Sequence, residues 1–197
     1  MAFLLWTFRK NYRFGPALIP KQISICLIGS ILAIILWIYL LGIFTPDSHK
    51  IRSLEDLSSN FQFSQNIFAS INSAWILRAI NSTFLVPIFE ELFCRIFLLE
   101  FFQGLSWPFK SVSHRIDQKP QFLSRPPLSW ISVIATSTFF MVGHSLSAWP
   151  AAFIYFVLTC MIYKLTLSLR GCILVHAIAN VAIAVFVIFF PSMGYLW

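Results

Sequence analysis

Long apolar runs separated by short polar stretches dominate the chain. The first run, from Ile23 to Phe44, has 22 residues and no charged side chain. About 20 apolar residues in an α-helix cross the hydrocarbon core of a bilayer. A cleavable signal peptide has a shorter apolar core of about 7 to 15 residues. The pattern therefore predicts a first transmembrane span that stays attached to the chain. Four basic residues precede it: Arg9, Lys10, Arg13 and Lys21.

The apolar stretch from Asn66 to Phe102 is too long for one span and too interrupted for two. A charged residue and the run Asn81-Ser82-Thr83 divide it, and Pro87 favours the start or a kink of a helix. The pattern predicts an interfacial or partly inserted helix over Ile67 to Ile80, followed by one kinked span from Phe84 to Phe102.

Three further apolar runs predict three more spans joined by short turns at Trp149-Pro150 and Arg170-Gly171. They are Leu128 to Ser147, Ala151 to Leu169 and Cys172 to Phe190. The predicted fold class is all-α, a polytopic helical membrane bundle of about five or six transmembrane helices. The composition excludes a water-soluble globule, because 58% of the residues are hydrophobic and only 11% are charged, against about a quarter charged in soluble domains.

The net charge of +7 indicates orientation rather than nucleic-acid binding, because the basic residues lie between the apolar runs. The positive-inside rule places the loop 104–127 and the basic N-terminus 1–22 in the cytoplasm. The mixed loop 45–65 is then predicted on the outer side. The predicted partner is the lipid bilayer, with no nucleic acid. The charged residues of the loop 104–127 are Lys110, Arg115, Lys119 and Arg125 against a single Asp117.

Ionisable and amide side chains recur inside the predicted spans. Each charged group there costs at least about 2.5 to 3.5 kcal/mol and therefore suggests a functional site. Glu91 and Arg95 are four residues apart and can form an internal ion pair. Glu90 lies about 100° around the helix from Glu91, so it is free to face a cavity. The candidate site residues are Glu90, Glu91, Arg95, His144, His176 and Asn180.

These residue types suit the hydrolysis of a peptide bond. Glu90 with His144 can hold a water molecule and remove its proton. His176 and Asn180 can donate hydrogen bonds to the oxyanion that forms when this water attacks an amide carbonyl. No serine or cysteine nucleophile is paired with a base at short range, and no covalent intermediate is required.

Three motifs in this order resemble the CPBP family of intramembrane proteases, also called the ABI family, which includes the CAAX prenyl endopeptidases. The motifs are Glu90-Glu91-Leu92-Phe93-Cys94-Arg95 (EExxxR), Phe140 to His144 (FxxxH) and His176 to Asn180 (HxxxN). The segment Val86-Pro87-Ile88 is also similar to the family, and the resemblance covers Phe84 to Phe190.

The resemblance implies that residues 66–197 form a CPBP-like catalytic membrane domain acting on a membrane-associated peptide or protein. It implies that Glu90 activates water with His144, that Glu91 and Arg95 support the site, and that His176 and Asn180 form the oxyanion hole. Many members carry Gly after the motif arginine, where this chain has Ile96. This departure and the short chain leave the substrate open. The short length favours a prokaryotic cell-membrane protein, for which prenylated substrates are not expected.

Other chemistry stays open. The family has also been described as metalloproteases, and Glu90, His144 and His176 match the His₂Glu ligand set of some zinc enzymes. Metal-independent chemistry without a cofactor is favoured, because no HExxH is present and Asn180 suits a neutral donor better than a zinc ligand. A non-catalytic scaffold or bacteriocin-immunity-type protein could retain the fold. A transporter or proton relay is less favoured, because no internal repeat is present.

Two further expectations concern the surroundings of the site. Four tryptophans are predicted to be interfacial anchors: Trp37, Trp130, Trp149 and Trp197. His144 lies about 24 Å of helical rise beyond Leu128, whereas His176 lies about 9 Å beyond Arg170. The two histidines can meet only if the Leu128 helix begins below the membrane surface, tilts or breaks.

Overall fold

The computed structural model describes residues 17–46, 73–106 and 128–190, together with Leu196. These residues form helices and no strand, which confirms the all-α prediction. Most of the predicted outer loop, of the basic loop and of the N-terminal segment lies outside the described residues. The helices are α1 (Pro20–Phe44), α2 (73–106), α3 (Trp130–Val142), α4 (Trp149–Thr166), preceded by a 3₁₀ turn (Leu146–Ala148), and α5 (Leu169–Phe189).

Three stretches of the described chain are long and apolar enough to cross a membrane: Pro20–Phe44, Leu146–Thr166 and Leu169–Val187. Helix α3 has 13 residues and is shorter. Large apolar side chains are exposed on the outside of the bundle, Ile28 at 67% and Ile131 at 69% among them. Lipid tails are as apolar as these side chains. The chain is therefore an integral membrane protein, and the number of five or six spans stays a prediction.

Helix α1 is attached to the bundle at its first turn and along a face of small residues. Its first residue is Pro20, whose missing N–H is not needed in the first turn. The Gln22 side chain accepts the backbone N–H of Ile19 at 3.1 Å and donates to the carbonyl of Thr166 at the end of α4 at 2.9 Å. The face of α1 that packs on α4 and α5 contains Cys26, Gly29, Ser30 and Ala33.

Helix α2 is continuous, but its hydrogen-bond pattern alternates along its length. The α-helical segments Ser73–Ile80, Val86–Glu91 and Leu99–Ser106 alternate with the π-helical segments Asn81–Leu85 and Leu92–Leu98. The residues at the junctions keep right-handed helical backbone angles. From residue 73 onwards no break separates the predicted first helix from the predicted kinked span, and the interfacial placement of its first part stays a prediction. The first π segment immediately precedes Val86-Pro87, where the proline has no N–H and crowds the preceding turn.

Helix α3 ends earlier than the predicted span. The helix stops at Val142, and the turn that follows carries His144, whose backbone N–H donates to the carbonyl of Met141 at 2.9 Å. The indole N–H of Trp149 donates to the carbonyl of His144 at 3.1 Å and fixes this turn to the start of α4. The motif spacing predicted His144 on a membrane helix. It lies instead just beyond the end of one.

Helices α4 and α5 form a hairpin with a turn of two residues, Leu167 and Ser168. The turn was predicted at Arg170-Gly171, but these residues lie in the first turn of α5. Leu167 adopts a left-handed backbone with φ 52°, which is uncommon for a residue other than glycine. This sharp reversal sets α5 against α4 and brings His176 to the middle of the bundle.

Candidate active site

The predicted ion pair between Glu91 and Arg95 is present at the centre of the bundle. Arg95 Nε donates to Glu91 Oε2 at 2.9 Å, and both side chains are fully buried. Arg95 also donates to Thr159 Oγ1 and, at 2.8 Å, to Cys160 Sγ. Its guanidinium carbon lies 3.9 Å from the centre of the Phe156 ring. Helix α4 therefore holds the arginine from three positions, and the arginine holds Glu91.

His176 connects this buried pair to Glu90. Its Nδ1 lies 3.3 Å from Glu91 Oε1. A carboxylate paired with an arginine only accepts hydrogen bonds, so Nδ1 is the donor. The other ring nitrogen, Nε2, then faces Glu90 Oε2 at 3.8 Å. This distance is too long for a direct hydrogen bond, and one water molecule beside the two atoms could bond to both.

The two neighbouring glutamates have different environments, as their position on the helix predicted. Glu91 is 1% exposed and has two strong partners, whereas the side chain of Glu90 is 34% exposed and lines a cavity. One carboxylate is thus committed to the scaffold, and its neighbour is available to a ligand.

His144 faces the same cavity from the turn after α3. Its Nδ1 lies 3.1 Å from the carbonyl oxygen of Phe140, which only accepts, so Nδ1 donates and Nε2 is left as an acceptor in the neutral ring. The Phe140 ring lies 4.8 Å from the imidazole ring, and the Trp37 ring lies edge-on at 5.9 Å. These contacts fix the orientation of the imidazole.

Asn180 is one turn beyond His176 on α5, and one N–H of its side-chain amide already has a partner. Asn180 Nδ2 donates to the backbone carbonyl of Ser82 at 2.6 Å. An amide nitrogen has two N–H groups, so a second donor remains for a ligand. The contact fixes α5 to the first π segment of α2.

The polar groups from three parts of the chain surround one cavity of about 200 Å³. His144 and His176 line this cavity together, so the two histidines meet despite the difference in helical rise that the sequence left open. Helix α1 also contributes to the wall. The polar and aromatic residues that line the cavity include Glu90, His144, His176, Asn180, Trp37 and Tyr155.

Several residues of the site were not found from the sequence. Trp37 was predicted to be an interfacial anchor, but it lines the cavity and contacts His144. The sulfur of the buried Cys160 accepts from Arg95, and no motif indicated this contact. Tyr155 and Thr159 carry no motif. The only signal in the sequence was a polar pair, Thr159-Cys160, inside an apolar run.

The zinc ligand set of Glu90, His144 and His176 stays a prediction. Among the described residues, no group of three or more His, Cys, Asp or Glu side chains is placed to hold a metal ion.

The fold and the site define an integral membrane protein with ionisable residues arranged around an intramembrane cavity. A family model described as type II CAAX prenyl endopeptidase Rce1-like matches residues 72–182, which is more than half of the chain. The chain belongs to this Rce1-like family of CAAX-protease-like intramembrane endopeptidases, which confirms the resemblance seen in the motifs. No curated protein and no solved structure matches the chain. All six predicted site residues lie within the matched segment.

Proposed function

We propose that the protein is an intramembrane endopeptidase that cleaves a membrane-associated peptide or protein with a water molecule activated by Glu90 and His144. The observation that carries this proposal is the unequal use of two adjacent carboxylates. Glu91 is held by Arg95 and His176, while Glu90 faces the cavity. A free carboxylate beside a fixed imidazole is the arrangement that a general base requires.

The proposed reaction needs no covalent intermediate. Nε2 of His144 accepts one hydrogen of the water and orients it, and Glu90 takes the other proton as the water oxygen bonds to the carbonyl carbon. The carbonyl oxygen becomes an oxyanion. When the C–N bond breaks, the proton on Glu90 passes to the leaving nitrogen, so the products are an acid and an amine.

Asn180 and His176 are proposed to bind the oxyanion. The second N–H of the Asn180 amide is available for this contact. Nε2 of His176 can donate only when it carries a proton, and the ring is then an imidazolium because Nδ1 already donates to Glu91. Removal of one oxyanion donor typically lowers kcat by about 10² to 10³.

The test of the proposed function is peptide cleavage by the full chain in detergent. A library of synthetic apolar peptides is incubated with wild type, and products are identified by mass spectrometry. We expect wild type to cleave and both Glu90→Gln and His144→Ala to be inactive. The control Glu100→Gln, which changes an exposed glutamate on the same helix, should be active. Cleavage by Glu90→Gln at the wild-type rate would contradict the proposal.

The same assay distinguishes the two catalytic types. A glutamate-activated water predicts full activity after treatment with a zinc chelator. Loss of activity with the chelator and recovery with added zinc would instead assign Glu90, His144 and His176 to a metal site. Wild-type protein that cleaves nothing, with correct folding, would favour the scaffold function.

We also propose that the N-terminus and the basic loop 104–127 face the cytoplasm of a prokaryotic cell. The proposal is supported by the distribution of basic residues. The test replaces the four native cysteines by alanine and introduces a single cysteine at position 10 or 115. Each new cysteine should react with an impermeant maleimide only after the cells are opened. Reaction in intact cells would reverse the orientation.

A further inference from the structure

Two polar atoms beside the candidate site are buried without a hydrogen-bond partner among the described residues. They are Nε1 of Trp37 and the hydroxyl of Tyr155. Only one other side-chain atom of the described chain shares this property, Oγ1 of Thr45 at the end of α1, and Thr45 does not line the cavity. Burial without a partner loses the hydrogen bonds to water and gains nothing in return. Such groups are rare in folded proteins and call for an explanation.

The two unpartnered groups lie together and flank the proposed reaction centre. The rings of Trp37 and Tyr155 meet edge to face, with centres 6.2 Å apart. The Trp37 ring contacts His144 at 5.9 Å, and the Tyr155 ring contacts His176 at 5.3 Å. The two donors therefore belong to residues that border both histidines.

The chemistry of these groups restricts what they can bind. An indole N–H only donates, and a phenol O–H can donate to the same kind of partner. Arg78 and Ser82 also line the cavity. Trp37 and Tyr155 belong to its apolar part, which contains Ala33, Ala179 and Ile183. A ligand that offers acceptors among apolar groups fits this wall. An extended apolar peptide segment has this character, because its main-chain carbonyls have no partner within the segment.

We propose that Trp37 and Tyr155 donate hydrogen bonds to main-chain carbonyl groups of the substrate next to the bond that is cleaved. This inference rests on the proposed endopeptidase function. Both donor atoms are enclosed in this structure, so the proposal requires the two side chains to rotate towards the cavity when a peptide enters. Trp37 lies outside the segment 72–182 that matches the family. Helix α1 would thus supply part of the substrate site of this protein.

The first measurement is the thermal unfolding of Tyr155→Phe in detergent, which needs no substrate. The substitution removes only the hydroxyl, and an unpartnered hydroxyl contributes nothing to the resting fold. We expect a Tm equal to or higher than that of wild type. A Tm several degrees lower would show that the hydroxyl has a structural partner and would overturn the proposal.

The second measurement is the binding of a peptide to the chain with Glu90→Gln, so that affinity is read without cleavage. The probe is the apolar peptide that wild type cleaves in the library assay. Tyr155→Phe and Trp37→Phe should each weaken its Kd about fivefold to tenfold, as expected for one lost hydrogen bond. Tyr163→Phe, the same change two turns later on α4 and outside the cavity wall, should leave the Kd unchanged.

A series of peptides, each with one backbone amide reduced to a methylene amine, identifies the substrate carbonyl that accepts from a donor. If a donor meets that carbonyl, Tyr155→Phe should not weaken the binding of the reduced peptide further, because the two changes remove the same contact. Full additivity at every position would overturn the donor role while leaving the endopeptidase function intact. Failure of wild type to cleave or bind any peptide would instead overturn both proposals.

Discussion

The side chain of Asn180 takes the place of a backbone N–H that Pro87 lacks. In a π-helical segment the carbonyl of Ser82 would accept from the N–H five residues later, which is residue 87. Residue 87 is a proline and has no N–H. The N–H of Val86, four residues after Ser82, is also not available to Ser82, because it donates to the carbonyl of Asn81. Asn180 Nδ2 donates to the Ser82 carbonyl at 2.6 Å. A proline one turn before the glutamates thus fixes the position of an amide on another helix.

This relationship predicts the effect of Pro87→Ala. The new N–H can bond to a carbonyl of the preceding turn and compete with the Asn180 amide for the carbonyl of Ser82. The amide then loses its fixed position. We expect cleavage to fall by about tenfold, in line with the sensitivity of catalysis to small displacements, while the Tm stays within a few degrees of wild type. The measurement is kcat and Tm of the purified variant.

The matched control for Pro87→Ala is Pro150→Ala. Pro150 lies in the first turn of α4, where a backbone N–H has no partner within the helix in any case. Its replacement should change neither kcat nor Tm. Equal loss of activity in both variants would mean that the helices of the bundle are sensitive to proline removal in general, and would contradict a specific action of Pro87 through Asn180.

The two neighbouring glutamates should respond in opposite ways to the same substitution. Glu91→Gln leaves the buried Arg95 charge without its partner, which typically costs about 3–5 kcal/mol. Glu90→Gln removes a charge that faces the cavity and should leave the Tm unchanged or raise it. Both variants should be inactive, but only Glu91→Gln should unfold at a clearly lower temperature. Equal Tm values would contradict the division of roles between the two carboxylates.

The sequence predicted this division because it depends on local geometry. Glu91 and Arg95 are four residues apart on one helix, and their contact needs no knowledge of other helices. The partners of Arg95 on α4 could not be predicted in the same way, because Thr159 and Cys160 meet the arginine only through helix packing. Trp37 was misinterpreted for the same reason. Its interfacial character is a property of the residue type, whereas its contact with His144 is a property of the bundle.

The position of His144 shows a second limit of the sequence. The spacing of Phe140 and His144 predicted a shared helix face, and the two rings are in contact. The helix nevertheless ends at Val142, because the following Gly143 and the Trp149 indole favour a turn tied to α4. The sequence thus predicted the neighbours of the imidazole but not its level in the bundle.

Removal of the Arg95 charge should be strongly destabilising unless Glu91 is changed as well. Arg95→Met leaves the Glu91 carboxylate buried and unpaired, whereas the double variant Glu91→Gln and Arg95→Met buries no charge. We expect the double variant to have a higher Tm than Arg95→Met alone, because breaking a buried pair costs more than replacing it. Additive losses of Tm would show that the pair is not a coupled unit.

Close packing at Gly29 predicts how helix α1 supports the site. A Cβ at this position would lie 2.4 Å from Cδ1 of Ile162, a residue of α4 that is only 3% exposed. Gly29→Ala should therefore destabilise the fold by about 1–3 kcal/mol as α1 or Ile162 shifts. Gly143→Ala is the control for stability, since its Cβ would meet its nearest neighbour at an ordinary 3.4 Å.

The second change that tests this contact is Ile162→Ala. Alone it should destabilise the fold through the cavity it leaves, but combined with Gly29→Ala it removes the clash, so the pair should cost less than the sum of the single variants. Peptide cleavage should follow the same order, because Trp37 lies two turns beyond Gly29 and a displaced α1 moves its ring away from His144. If Gly29→Ala lowers the Tm but leaves cleavage intact, helix α1 holds the bundle together without shaping the active site.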